Sequence, residues 1–149
     1  MTLDSIPVHV GFRSGHICEV YNEAAFRHFL IVERARARRS QRFLFLVVAT
    51  VRQSPGRSAK LSDSVAAALF RGLGAAVREV DFVGWYREGH AAGAVLVQGA
   101  QPVDRAAAAV IAQRVRAEVN KQLFAADREN LRVRVTRLGG KAGTSESRE

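Results

Sequence analysis

The sequence predicts an α/β domain of the α+β kind: a ferredoxin-like βαββαβ sheet preceded by an N-terminal helix. Three observations point there. An unbroken apolar run extends from Phe43 to Val51, two later segments carry apolar residues at helical spacing, and two short β-prone stretches flank a glycine turn. Each amphipathic helix has one apolar stripe that a sheet face must cover, and the order of elements is that of the βαββαβ plan. The plan hosts many unrelated functions and names none of them.

The elements follow in order. Between Tyr21 and Arg39, Phe26, Phe29, Leu30 and Ala37 recur at three- and four-residue spacings, which places them on one helical face and turns Arg34, Arg38 and Arg39 away from it. Phe43-Leu44-Phe45-Leu46-Val47-Val48 is apolar throughout and β-branched at its end, the pattern of a central strand covered on both sides. Ser54-Pro55-Gly56-Arg57-Ser58 reads as a loop. Ser62 or Asp63 then caps a helix with Val65, Leu69, Leu73, Ala76, Val77 and Val80 on one stripe, reaching about Val80. Phe82 to Arg87 and Ala91 to Val97 pair as a hairpin about Glu88-Gly89-His90. Pro102 and Asp104 open a helix with Ala107, Val110, Ile111, Val115 and Val119 on its apolar side, ending near Leu123. Leu131, Val133 and Val135 alternate with Arg132, Arg134 and Thr136, the period of a half-buried strand. Residues 1–15 form an N-terminal extension, 16–138 the domain, and 139–149, rich in glycine, serine and charge, a disordered tail.

The 149 residues suffice for one core, and the Phe43–Val51 run is far shorter than the roughly 20 residues a membrane-spanning helix needs. Without a basic start and a continuous apolar stretch, the first fifteen residues do not read as a signal peptide, so the expected location is cytoplasmic, with no membrane insertion. A lone Cys18 is a small apolar residue or an incidental thiol. The net charge of +9 raises nucleic acid, anionic lipid or a phosphate ligand as partners. Only three of the 23 basic residues are lysine, and arginine together with alanine also accumulates in GC-rich coding sequence.

Several strings resemble the diguanylate cyclase, or GGDEF, domain, and they occur in its order across roughly residues 16–138. Tyr21-Asn22-Glu23-Ala24-Ala25-Phe26 is similar to the family's opening turn before a phenylalanine. Glu33 to Arg39 followed by Phe43-Leu44-Phe45-Leu46 resembles the helix and strand leading to its metal site. Arg78-Glu79-Val80-Asp81 before Phe82-Val83-Gly84-Trp85-Tyr86 resembles its Arg-x-x-Asp and hairpin, and Ala112-Gln113-Arg114-Val115-Arg116 resembles its next helix.

The departures decide the expected activity. Active members of the family join two GTP molecules and use carboxylates to hold magnesium. One acid belongs at the end of the first strand, where this chain has Val48-Ala49-Thr50-Val51-Arg52. Others belong in the hairpin, where Arg87-Glu88-Gly89-His90-Ala91 puts Gly89 and His90 at the key positions and leaves Glu88 as the one carboxylate near the turn. The guanine-binding Asn-Asp pair of the family is replaced by Gln53-Ser54-Pro55-Gly56-Arg57. The resemblance therefore implies a domain that is not an enzyme, with no catalytic or metal-binding residue and no cofactor.

The resemblance also implies a ligand site. Arg78 and Asp81 match the spacing at which many members bind their own product, cyclic di-GMP, and Arg116 would add a further arginine. An arginine fork binds phosphate or guanine edges and a carboxylate accepts from guanine amino groups. The competing reading is a local ion pair or cap at the end of the second helix. His9, His16, His28 and His90 are scattered without zinc spacing and read as surface residues. Ser62, Asp63 and Ser64 read as helix capping, Trp85 and Tyr86 as core or dimer packing, and Arg34, Arg36, Arg38, Arg39 and Arg42 as a solvated helix surface. The expectation is a catalytically inactive regulatory or interaction domain that binds cyclic di-GMP, self-associates or docks a protein partner. The Gly84-Trp85-Tyr86-Arg87-Glu88 variant also resembles degenerate cyclase-like domains of bacterial surface-polysaccharide systems. A structural dimerisation module is the first alternative. A basic nucleic-acid-binding ferredoxin-like domain is the second and not the favoured one, because the last strand lacks the aromatic pairs of an RNA-binding sheet.

Overall fold

The computed structural model describes residues 8–13, 16–52, 60–78, 81–97, 106–139 and 146–148. Their order is β1 (Val8–Arg13), β2 (His16–Tyr21), α1 (Glu23–Arg39), β3 (Phe43–Val51), α2 (Asp63–Ala76), β4 (Phe82–Arg87), β5 (Ala91–Val97), α3 (Ala107–Asn120), α4 (Ala125–Arg128), β6 (Leu131–Gly139) and β7 (Glu146–Arg148). The strands form one mixed sheet in the order β1-β2-β4-β5-β3-β6-β7. Within it, β3-α2-β4-β5-α3-β6 is the predicted βαββαβ unit, with β3 between β5 and β6 and antiparallel to both.

Both faces of the central sheet are covered, which is why β3 is apolar along its whole length. Phe45, Val47, Ala49 and Val51 face α2 and α3, together with Leu69 and Leu73 of α2, Val115 and Val119 of α3, and Leu131, Val133 and Val135 of β6. Leu44 and Leu46 face α1, where Phe26, Ala37 and Val95 complete a smaller cluster. The helices begin where capping side chains let them: Asn22 Oδ1 accepts from the N–H of Ala25 at 2.8 Å, and Ser62 Oγ from that of Val65 at 3.2 Å.

Two close approaches fix how the helices lie. Phe26, 0% exposed, sets its ring over Gly84 of β4 and Gly93 of β5, which are cross-strand partners. A Cβ on Gly84 would lie 2.7 Å from the carbonyl oxygen of Tyr21 and 2.9 Å from the Phe26 ring, and one on Gly93 would lie 2.9 Å from that ring. On the opposite face, Gly72 of α2 lets the backbone of α3 approach so closely that a Cβ would stand 2.5 Å from Val119 Cα.

Several boundaries differ from the sequence reading. Val8–Arg13, within the supposed extension, pairs with β2, and β2 runs parallel to β4 at Val20 and Tyr21, extending that sheet edge. Glu146–Arg148, within the supposed disordered tail, pairs with Val135–Arg137. Both additions give hydrogen-bond partners to strands that would otherwise end the sheet. The first helix begins at Glu23 rather than Tyr21, whose backbone continues β2. α2 stops at Ala76 because Val77 turns extended and buries its side chain, and α3 stops at Asn120, short of Leu123. Val80, Pro102, Asp104 and the loop Gln53 to Ser58 lie outside the described residues. Among the described residues no helix is long and apolar enough to cross a membrane.

Gly93→Ala should lower stability by about 1–3 kcal/mol through overpacking against Phe26. The cost should shrink when Phe26→Leu is already present, because the two residues share one space. A double-mutant cycle by denaturant unfolding checks this, and strictly additive costs would refute the packing assignment.

Candidate functional site

The end of β3 and the β4–β5 hairpin lie side by side, since Ala49 pairs with Ala92 and Thr50 Oγ1 donates to the carbonyl of His90 at 2.9 Å. Gly89, at φ 77, takes the left-handed position of the turn, and its carbonyl accepts from the N–H of Leu61 at 2.8 Å. The one carboxylate of the hairpin itself, Glu88, is engaged elsewhere. Its Oε1 accepts from the N–H of Glu23 at 3.0 Å, while Glu23 Oε1 accepts from the N–H of Glu88 at 2.7 Å. This reciprocal pair ties the hairpin to the first turn of α1, where backbone N–H groups lack helical acceptors. Arg27 reinforces it through Glu23 at 3.1 Å and the Tyr86 carbonyl at 2.8 Å, with its guanidinium 4.7 Å from the Tyr86 ring centroid.

Magnesium takes hard oxygen ligands in near-octahedral geometry. The wall formed by Val48–Arg52 and the hairpin offers a single carboxylate, already bound to backbone, and does not fit such an ion. Among the described residues no group of three or more His, Cys, Asp or Glu is placed to hold a metal.

Arg78 and Asp81 are brought together at the opposite end of the sheet. The Asp81 carboxylate, 1% exposed, accepts from the N–H of Arg78 at 2.8 Å and from that of Val97 at 2.9 Å, and lies 3.6 Å from Arg78 Nε. Arg78 also donates from Nη2 to the Val97 carbonyl, yet its side chain is 61% exposed. Asp81 is thus spent on the fold, clamping the turn after α2 to the last residue of β5, whereas Arg78 keeps a solvent-facing edge. Val97 also borders a basin of ≈ 460 Å³ with Arg36, Arg39 and Arg42 on its walls. Three of the arginines read as a solvated surface, Arg36, Arg39 and Arg42, thus line a concavity together with Glu33, and it reaches Val97, whose carbonyl Arg78 holds.

The structure does not bring Arg116 to this pair. Ile111, Val115 and Val119 bury one face of α3, and this packing carries Arg116 to the start of β6, where its Nη1 lies 3.4 Å from the Leu131 carbonyl. Val97 pairs with Leu44 and Leu131 with Val51, so the two places are separated by the length of β3 from Leu44 to Val51, roughly 23 Å at about 3.3 Å per residue.

The remaining candidates are settled by packing. Ser62 caps α2 as read from sequence. Trp85 meets Phe70 edge-on with centroids 4.9 Å apart, and Tyr86 packs under Arg27. His28 is exposed, whereas His90 is half-buried, and its Nδ1 is buried without a hydrogen-bond partner among the described residues. Burial, then the charge and hydrogen bond of Glu19, holds the Tyr21 phenol above its ordinary pKa. The reciprocal Glu23–Glu88 pair escaped sequence reasoning, since its members are 65 positions apart. The arginines of β6 were visible only as the polar half of an alternation.

A βαββαβ sheet with α2 and α3 on one face and a preceding helix on the other defines a nucleotide-cyclase-like fold. Solved structures narrow it to the GGDEF fold. A DGC protein from Thermotoga maritima superposes with a TM-score of 0.57 at 15% identity, covering 79% of each chain. The GGDEF domain of DgcB from Caulobacter crescentus, in complex with c-di-GMP, gives 0.58 at 16% identity over 86% of this chain and 75% of that one. The FimX GGDEF domain from Pseudomonas aeruginosa gives 0.55 at 18% identity over 84% and 79%. No protein-family model matches the sequence, and no curated protein does. At such identities the shared property is the fold.

Asp81→Asn should destabilise the protein by roughly 2–4 kcal/mol, nearly as much as Asp81→Ala, because charge-assisted hydrogen bonds contribute about 1.5–3 kcal/mol each and the new amide would turn a donor toward backbone donors. Chemical denaturation checks it, and a neutral Asp81→Asn would refute the clamp.

Proposed function

We propose that this chain is a catalytically inactive regulatory domain of the GGDEF fold that binds cyclic di-GMP through Arg78 instead of making it. The observation that carries the first half is the fate of Glu88. The carboxylate of the hairpin is committed to the N-terminus of α1, the neighbouring Glu23 carboxylate is bound in turn to the hairpin backbone, and Val48–Arg52 supplies none. Two-metal phosphoryl transfer needs carboxylates to hold the ions that stabilise attacking and leaving oxygens.

The second half rests on the division of labour between Arg78 and Asp81. Asp81 acts as a positioning residue: it holds the backbone of Arg78 and one edge of its guanidinium, leaving the exposed remainder to meet a phosphate or a guanine edge. The basin that reaches Val97 holds Arg36, Arg39 and Arg42 against Glu33, which pairs with Arg36 at 2.9 Å, and its net positive charge favours a dianionic dinucleotide. Two of the structural neighbours are complexes with c-di-GMP, which makes this the first ligand to test.

Purified protein should convert no GTP to cyclic di-GMP with magnesium or manganese. Cyclic di-GMP should bind with a Kd on the order of micromolar and at least about tenfold more weakly to Arg78→Ala, which stays folded by circular dichroism. Turnover abolished by Glu88→Ala would overturn the inactive assignment. Calorimetry of the folded wild-type protein without heat at high protein concentration would replace the receptor with a structural dimerisation module.

A further inference from the structure

The first half of β6 carries arginine on every second residue. Leu131, Val133 and Val135 are buried against the α2–α3 side, so Arg132 and Arg134 stand on the other face of the sheet. Their Cα positions are about 6.6 Å apart by the rise of a strand. Continuous pairing with β3, Arg132 opposite Thr50 and Arg134 opposite Val48, holds that spacing. Arg116 arrives from α3 and is directed there by the Leu131 carbonyl. These arginines line a groove of ≈ 530 Å³ together with Val48, Thr50 and Glu129. The charge balance along it is three guanidiniums against one carboxylate, and no aromatic ring is among its lining residues.

Those features select a ligand. Guanidiniums repeated along a rigid strand suit an anion that itself repeats, such as a phosphodiester chain. Walls of valine and leucine lack the stacking platform on which sequence-tolerant binders seat bases, so the grip on a strand rests on phosphate contacts alone. We propose that this groove binds the phosphate backbone of single-stranded nucleic acid without reading its sequence. The site is separate from Arg78, at the other end of β3, and does not depend on cyclic di-GMP binding.

The test is anisotropy of a short fluorescent oligo(dT) with the full chain, titrated at several salt concentrations. Contacts to three phosphates predict a log–log salt slope of about −2, so affinity should fall about 15-fold between about 50 and 200 mM salt. Arg116→Ala/Arg132→Ala/Arg134→Ala should bring the slope near zero and weaken low-salt binding at least about tenfold. Arg34→Ala/Arg38→Ala/Arg71→Ala removes the same charge from exposed helix positions and should leave the slope unchanged. If the groove variant fails to fold, the single Arg132→Gln should reduce the slope by about 0.7. Equal losses in the two triple variants would show that net charge alone attracts the strand and overturn the site. Competition by poly-glutamate as effective as by unlabelled oligo(dT) would overturn it in favour of an acidic peptide. A strong preference for one base over another would refute binding without sequence readout.

Discussion

The seat of the Phe26 ring on the glycine pair Gly84–Gly93 organises this side of the molecule. A large ring can lie flat against a sheet only where two cross-strand neighbours lack side chains, and any Cβ there would intrude on it. Its position sets the height and direction of α1. From that placement follow the entry of α1 beside the hairpin, the reciprocal Glu23–Glu88 bonds and the seat of Arg27 over Tyr86. The hairpin that resembles a catalytic loop is therefore held by a helix N-terminus. Its carboxylate accepts from the backbone N–H of Glu23, which has no helical acceptor.

A similar economy governs the other end of the sheet. A carboxylate buried to 1% exposure is tolerated only where its oxygens are matched by donors, and Asp81 finds them in Arg78 and Val97. That match closes the turn between α2 and β4 and secures the end of β5. The same bonds that make Asp81 structural leave Arg78 oriented and partly exposed. One motif thus splits into a residue that serves the fold and a residue that serves the surface.

The arginines are distributed by the same packing. Arg36 and Arg39 of α1 line the basin by Val97, and Arg132 and Arg134 of β6 stand opposite its buried aliphatic residues at the far end of β3. Strand-borne guanidiniums are more fixed in spacing than helix-borne ones, because β6 is paired to β3 from end to end. Six of the arginines thus line two separated concavities, each with its own geometry. Arg116 belongs to the second because α3 packs along β6.

The central strand, the two capped or striped helices, the hairpin and the half-buried last strand are legible in the order of residues alone. Each is written in local periodicity: an unbroken apolar run for β3, a helical stripe for α2 and α3, and alternation for β6. The same order shows that Val48–Arg52 holds no acid, which is a matter of residue identity alone. Tertiary structure decided what depends on residues distant in the chain. β1, β2 and β7 are short, and their pairing is fixed by the sheet edges they find, not by their own pattern. The turn of Glu88 toward α1 depends on a neighbour 65 positions away. The burial of Asp81 depends on where β5 ends, and the separation of Arg116 from Arg78 on the length of β3. Spacing in sequence brings side chains together only within one element; across elements, the packing of helices on the sheet decides which charges meet.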